Sequence, residues 1–391
     1  MKSLPAVVVV HNRYRESGGE DTVFEQETAL LRARGHRVVA LSESNDSIGS
    51  MSVVRLTGAL LWNRAAARRV SEAVTSSGAG LVHFHNTFPL VSPAAYYAAR
   101  RAGAAVVQTL HNYRLICPGT MLMRDGKPCE ACVGAPLAWR GALHGCYRNS
   151  RLQSAGAAAM VGAHRLAGTW TREVDAYIAL TPFARDRFVD GGLPPERVHV
   201  RPNFLPHDPG IGEHDGDYAL FVGRLDEQKG VRTLMDAWRR LDGGIPLRVI
   251  GEGDLGRDRF GEIPGVEWAG RVDRPAVLAA MKRARALVLP SVSYENFPMT
   301  VVEAFATGLP VIASRIGGIP QIVEHEVTGL TFDVGSPEAL AAAVERGWRD
   351  PESLRRMGGA ARAAYETSYT AERAYASLAS IYRDARRNLE G

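Results

Sequence analysis

Short apolar runs separated by helix-length segments recur along this chain, and they constrain its fold more than any other feature. They stand at residues 4–10, 36–41, 81–84, 105–110 and 177–180, then again at 218–222, 247–250, 286–289 and 311–312. Runs so short and so apolar suit strands buried on both faces of a parallel sheet. The segments between them, including 20–34, 231–240, 275–283 and 300–307, carry the spacing of covering helices. The first run breaks at His11-Asn12-Arg13, so it reads as a strand and is too short for a membrane span or a secretory leader. No fixed repeat of solenoid length appears.

The two series of runs meet at residues 202–217, PNFLPHDPGIGEHDGD, whose proline, glycine and acidic residues read as an interdomain linker. A chain of 391 residues is long enough for two cores. The expected organisation is an α/β domain over 1–206, a second over 207–370, and a terminal helix over 371–391 packing back on the first. Two doubly wound domains with a ligand cleft are the economical solution, with chemistry in the loops after the strands. The net charge of +5 is spread over scattered arginines, so no nucleic-acid partner is expected.

The chemistry-bearing residues concentrate in the second half. Residues 289–308, LPSVSYENFPMTVVEAFATG, set Glu295 before a helix and Glu303 within it. Between them Asn296, Phe297, Pro298, Met299 and Thr300 form a compact turn whose amides, at a helix start, suit an anion. Residues 221–230, FVGRLDEQKG, place Gly223, Arg224 and Lys229 directly after an apolar strand. Arginine offers a planar fork to phosphate oxygens and lysine a mobile point charge, so the pair fits a diphosphate. The carboxylates fit sugar or ribose hydroxyls. In the first half, Gly18-Gly19 would permit close approach of backbone to a ligand, and His111 follows the run 105–110.

GRLDEQKG at 223–230 together with ENFPMTVVE at 295–303 resembles the retaining, family 4 glycosyltransferases of the GT-B fold, and the resemblance extends over almost the whole chain. It implies two Rossmann-like domains facing across a donor/acceptor cleft, with a nucleoside diphosphate sugar, UDP- or GDP-linked, held chiefly by the second. By the same resemblance Arg224 and Lys229 stabilise the leaving diphosphate, Glu303 binds ribose hydroxyls and Glu295 positions the donor sugar. Residues 297–300 hold sugar and phosphates. Gly251, Gly253, Arg271 and Val272 resemble donor-site turns, ordinary loop geometry being the other reading, and His111 meets donor or acceptor sugar. No catalytic metal is expected, since the Arg/Lys pair can neutralise the diphosphate and neither donor motif holds an Asp-x-Asp pair. The acceptor is left open among a saccharide, a lipid-linked glycan and a small metabolite. A noncatalytic sugar-nucleotide-binding module is the alternative class.

Two further segments carry separate expectations. Cys117, Cys129, Cys132 and Cys146 fall in a loop-rich insertion over 117–146. Four thiolates with a short Cys-x-x-Cys pair suit a structural zinc site; four reduced cysteines or two disulfides are the other readings. Residues 54–74 bring Leu56, Leu60, Leu61 and Trp62 beside Arg64, Arg68 and Arg69. This segment reads as a surface helix packed on the first domain or as a peripheral membrane helix. The expected location is cytoplasmic, with contact at the inner membrane face as the variant.

Overall fold

The computed structural model describes residues 6–15 and 18–390, and the chain divides into two compact units. Leu4 of the first apolar run and Ser17 of the first glycine loop lie outside the described residues. The first unit comprises the chain up to Met121, Glu130–Asn203 and the end of the chain from Ala374; the second comprises Leu122–Cys129 and Phe204–Arg373.

In the first unit β1 (Val7–Arg13), β2 (Val38–Ser44), β3 (Leu81–Phe84) and β4 (Ala105–Thr109) precede a small hairpin, β5 (Met123–Arg124) and β6 (Lys127–Pro128), which clusters with the second unit. β7 (Ala176–Ala179) and β8 (Val198–Val200) complete a parallel sheet of order β2-β1-β3-β4-β7-β8. Val7 to Val10 are 0–2% exposed, so β1 is sealed on both faces, and each such valine stabilises the fold by about 1.5–3 kcal/mol. β1 runs on through His11 and Asn12 to Arg13, beyond the break the sequence suggested. Both polar side chains are buried with partners: His11 meets Asp21, and the Asn12 amide donates to Asn45 at 2.8 Å. Leu378, Ile381, Tyr382 and Ala385 of the terminal helix Ala371–Glu390 join Val7, Val9, Phe24 and Leu31 in one core.

The second unit holds β9 (Ala219–Val222), β10 (Leu247–Ile250), β11 (Val266–Gly270), β12 (Ala286–Leu289), β13 (Val311–Ser314) and β14 (Gly329–Phe332), all parallel, in the order β11-β10-β9-β12-β13-β14. Alternate residues of β9 serve opposite faces. Phe221 packs with Trp238 of helix Val231–Leu241, whereas Leu220 packs with Phe305 of helix Met299–Thr307. The strand order reverses beside β9 in this unit and beside β1 in the first, and ligands of such sheets lie outside the strand C-termini at that reversal.

The change of unit falls between Asn203 and Phe204, inside the expected linker. From Phe204 onward the segment is tied to the second unit: Leu205 N–H donates to Tyr369 O, Gly212 N–H to Thr307 O, and His214 N–H to Lys282 O. The proline and glycine content reflects an irregular path along this unit's surface, fixed by backbone hydrogen bonds. Residues 54–74 also differ from expectation, for they are two helices, Val53–Trp62 and Arg64–Ser77. Asn63 between them uses its side chain to accept from Ala65 and Ala66 N–H and so starts the second. No described helix is long and apolar enough to cross a membrane.

Candidate functional site

At the strand reversal of the second unit, the loops after β9 and β12 are knitted together. Val292 N–H donates to Gln228 O at 2.9 Å, and a Cβ on Gly230 would stand 1.8 Å from Pro290 O. Gly230 has φ +70°, so only glycine suits that turn. Asp226 shapes the first loop: one carboxylate oxygen accepts from Lys229 N–H at 3.0 Å and the other lies 3.2 Å from Arg224 Nη2. This leaves the Arg224 side chain 69% exposed, while Lys229 turns inward.

Lys229 Nζ lies 2.6 Å from Glu295 Oε1, and Ser291 Oγ–H donates to the same oxygen at 2.6 Å. Burial pushes the Glu295 carboxyl up, but the Lys229 charge and hydrogen bond, with Ser291 and then Arg224, hold it below the ordinary range. Glu295 is therefore ionised and masks Lys229. Pro298 opens the helix Met299–Thr307, which no side chain caps, so Met299 and Thr300 lie in a first turn open to an anion. Phe297 and Met299 are anchored against the core that contains Phe305. Asn296 belongs to the same turn.

Glu303 sits one turn along that helix, mostly buried, 3.1 Å from Arg274 Nη2. Burial raises its carboxyl above the ordinary range, against the pull of Arg274. Neither Arg274 nor Ser291 was singled out from the sequence. Ser291 stands four residues before Glu295, and Arg274 opens a helix whose Asp273 cap was readable.

The glycines separate into two kinds. Gly251 has φ +148° and a Cβ there would lie 1.8 Å from Gly223 O; Gly253 has φ +153° and a Cβ 2.5 Å from Leu225 O. The close approach of these two loops accounts for both glycines without a ligand. Gly223 N–H donates to Ile250 O and Gly251 N–H to Gly270 O, continuing the sheet. Arg271 pairs with Glu252 at 3.0 Å on the exposed surface, and Val272 packs partly on the core. Gly18 and Gly19 contrast with these. A Cβ on Gly18 meets nothing closer than Asp21 at 3.9 Å, and one on Gly19 meets nothing within 4 Å.

In the first unit Asp21 fixes that loop. Its Oδ2 accepts from Gly18 N–H at 2.7 Å and its Oδ1 lies 2.8 Å from His11 Nε2. Glu20 follows the glycines; burial, with the Asp21 charge adding, pushes it up to about 7 against hydrogen bonds from Tyr14 and Asn112. His111, just past β4, has its Nε2 2.9 Å from His85 Nδ1, with the rings stacked at 5.1 Å. Burial, then the neighbouring His85 and His11, hold His111 well below the ordinary histidine range. Beneath lies a group absent from the sequence reading: Glu27, His83 and His85, with Arg201. Its signals were a glutamate on the apolar face of helix Gly19–Ala33 and a His-x-His pair, His83 in β3 and His85 just past its end, which alternation turns to one side.

Among the described residues, Glu27, His83 and His85 are the group of three or more candidate ligands whose atoms lie within 4.8 Å of one another, and no set drawn from Cys117, Cys129, Cys132 and Cys146 is. Cys117 is buried at the end of a turn whose amide donates to Tyr113 O, Cys146 lies against Gly119, and Cys129 belongs to the hairpin.

Two family profiles match side by side: "Glycosyl transferase 4-like domain" over residues 18–203 and "Glycosyl transferases group 1" over residues 208–364. A glycogen synthase of Mycobacterium tuberculosis is 33% identical over 43% of this chain and 42% of its own length. A D-inositol 3-phosphate glycosyltransferase of Segniliparus rotundus is 34% identical over 43% of this chain and 40% of its own. These matches thus span less than half of either relative. Among solved structures, Anabaena HepE in complex with UDP superimposes with TM-score 0.66 at 16% identity, covering 95% of this chain and 98% of that one. A profile on each half and this fold throughout place the chain in one family: it belongs to the group 1, family 4 glycosyltransferases of the GT-B fold.

Proposed function

We propose that this protein transfers a glycosyl group from a nucleoside diphosphate sugar to an acceptor hydroxyl, with retention at the anomeric carbon and without a catalytic metal. The observation that carries this reading is the convergence of Arg224, Lys229, Glu295 and the uncapped start of helix Met299–Thr307 at one strand reversal. In this reading the C1–O bond to the β-phosphate breaks while the acceptor oxygen bonds C1 on the same face. The acceptor proton leaves on the departing diphosphate. Arg224 and Lys229 stabilise the charge that grows on that phosphate, where preorganised donors matter most. Once a donor engages Lys229, Glu295 is released to position the sugar, and Glu303 with Arg274 holds ribose hydroxyls. His111 exchanges a hydrogen bond with a sugar hydroxyl. The Gly18-Gly19 backbone, which nothing in its own unit forbids a side chain, is kept bare for a ligand.

The test is a panel of UDP- and GDP-sugars with saccharide, lipid-linked and small-molecule acceptors, run in EDTA. Nucleoside diphosphate should appear in step with a product of unchanged anomeric configuration. An inverted product, or loss of transfer on chelation that Mg²⁺ restores, would refute the mechanism. Tight donor binding with no turnover would favour the noncatalytic module. Gly19→Ala should weaken donor-dependent transfer about tenfold or more while leaving the melting midpoint unchanged.

Peripheral contact with an anionic membrane is part of the same reading, and a second segment is better exposed for it than the one the sequence suggested. Trp62 packs on Tyr97 and His164, with ring centroids at 5.1 and 6.2 Å, and is 41% exposed. Trp139, Leu152 and Leu166, on helices Trp139–Leu143 and Arg151–Leu166, are instead 57, 74 and 76% exposed, with Arg140 and Arg151 exposed nearby. Apolar bulk beside arginines suits a lipid interface. Sedimentation with phosphatidylglycerol vesicles should retain the protein and fail for Trp139→Ser/Leu152→Ser; equal recovery of both in the supernatant would remove the membrane from this reading.

A further inference from the structure

The carboxyl ends of β1, β3 and β4 enclose a sealed network that the transfer chemistry above leaves unused. Glu27 and Arg201 are 0 and 1% exposed, and Glu27 Oε2 lies 2.7 Å from Arg201 Nη1. Glu27 Oε1 lies 2.8 Å from His83 Nδ1 and 3.3 Å from His85 Nε2. His83 Nε2 is met at 2.8 Å by Thr109 Oγ1, and His83 Nδ1 also lies 2.8 Å from the Tyr382 hydroxyl. His85 Nδ1 then reaches His111 Nε2 at 2.9 Å. Glu27, His83 and His85 could in principle hold a cation, but the carboxylate is already neutralised by the Arg201 guanidinium. His83 also has both ring nitrogens engaged. The group is better suited to placing protons than to binding metal.

The proton positions follow from donor and acceptor capacity. Glu27 beside a permanently charged guanidinium is ionised; its contact with His85 Nε2 at 3.3 Å is not aligned as a hydrogen bond, and it is the carboxylate charge that places the His85 hydrogen on Nε2. A neutral His85 with hydrogen on Nε2 has a bare lone pair on Nδ1. His111 Nε2, 2.9 Å from that lone pair, must therefore donate. His111 is then left with its lone pair on Nδ1, an atom that makes no hydrogen bond among the described residues, on a side chain only half-buried. Burial and the neighbouring His83 hold His85 down at about 4, so the neutral chain persists through the physiological range.

We propose that Glu27 and His85 are positioning residues that lock His111 in its Nε2–H tautomer, making Nδ1 a fixed hydrogen-bond acceptor for a ligand hydroxyl. The inference rests on the reading that His111 meets a donor or acceptor sugar, and it specifies which partner that sugar offers: a hydroxyl that donates, not an oxygen that accepts. The bond order runs carboxylate, imidazole, imidazole, ligand, each link oriented by the one before it. Unlike a lone surface histidine, which samples both tautomers, His111 is ready for a hydroxyl before one arrives.

The test uses the full chain labelled with ¹⁵N-histidine, read by long-range ¹H–¹⁵N correlation at pH 7.5, with the His111 signals assigned by their loss in His111→Asn. The wild-type protein should show His111 Nε2 protonated and Nδ1 bare. His85→Phe, which keeps an aromatic ring against His111 and Phe24, should give a mixture of tautomers. It should also lower kcat about tenfold with the donor KM within twofold. A protonated Nδ1 in the wild-type protein overturns the proposal whether or not the variant folds. So does an unchanged single tautomer, or unchanged kcat, in His85→Phe. Absence of any transfer by the wild-type protein would refute the function proposed above while leaving the tautomer measurement able to decide the lock.

Discussion

Lys229→Ala is expected to lower donor-dependent transfer by about a hundred- to a thousandfold, the effect of removing one preorganised charge from a developing oxyanion. Two consequences of one deletion add here. The leaving diphosphate loses the cation best placed to meet it, and Glu295, 13% exposed, loses its nearest counter-charge. Only the Ser291 hydroxyl at 2.6 Å and the more distant Arg224 would then favour its ionised form. The Glu295 carboxyl should therefore rise toward and above its ordinary range, and the acidic limb of the pH–rate profile should move to higher pH. Lys229→Met combined with Glu295→Gln removes both charges. It should recover thermal stability lost by Lys229→Ala without recovering transfer, which separates the catalytic effect from the structural one. The measurement is nucleoside diphosphate release per enzyme, beside a melting curve for each variant. Turnover within tenfold of the parent in Lys229→Ala would dispose of the diphosphate clamp.

Arg201→Met should destabilise the protein by about 3–5 kcal/mol, because it strands a fully buried carboxylate. Glu27 owes its low pKa, against strong burial, first to Arg201 and then to His83. The double change Glu27→Gln/Arg201→Met should recover most of the loss in a urea titration, and a loss under 1 kcal/mol for the single change would show that water reaches the pair. The same network sets the pH response. An unfolded histidine takes up its proton near pH 6.5, whereas His11, His85 and His111 stay neutral in the fold to lower pH, His85 to about 4. Stability from these groups is thus full above pH 6.5 and lost as pH falls toward 4, with His85 alone accounting for roughly 3 kcal/mol. Glu27 adds to the loss below its unfolded value of about 4.5. Glu20, raised to about 7, has the opposite sense: its contribution is full below about 4.5 and lost as pH rises through 7. Between pH 7.5 and pH 5 three histidines outweigh one glutamate, so the melting midpoint should be lower at pH 5 than at pH 7.5.

What could be read in the sequence was set by burial. Stretches sealed on both faces, such as Val7–Val10 and Ala286–Leu289, announce themselves as unbroken apolar runs. Peripheral strands escaped notice: Val198–Val200 carries a histidine, Val266–Gly270 alternates Glu and Trp, and Gly329–Phe332 opens on glycine. Among the candidate-site residues, Arg224, Lys229, Glu295 and Glu303 stand out in the sequence because compact motifs hold them. Arg274 and the Glu27–Arg201 pair were not, since their partners lie far apart in the chain and only the fold joins them. Asn63 and the stretch from Phe204 to Asp217 mark a different gap. There, hydrogen bonds to backbone decide the conformation, and composition carries no record of them.

The first unit is sewn shut by the last residues of the chain. Leu378, Ile381, Tyr382 and Ala385 complete a cluster begun by Val7, Val9, Phe24 and Leu31. During synthesis, the second unit, ending at Arg373, is finished before the first can close. At 5–20 residues per second, the ribosome leaves that early apolar surface uncovered for roughly 10–40 s after residue 203 is made. Truncation before Leu378 would remove four members of that cluster and leave the apolar surface of Val7, Val9, Phe24 and Leu31 uncovered.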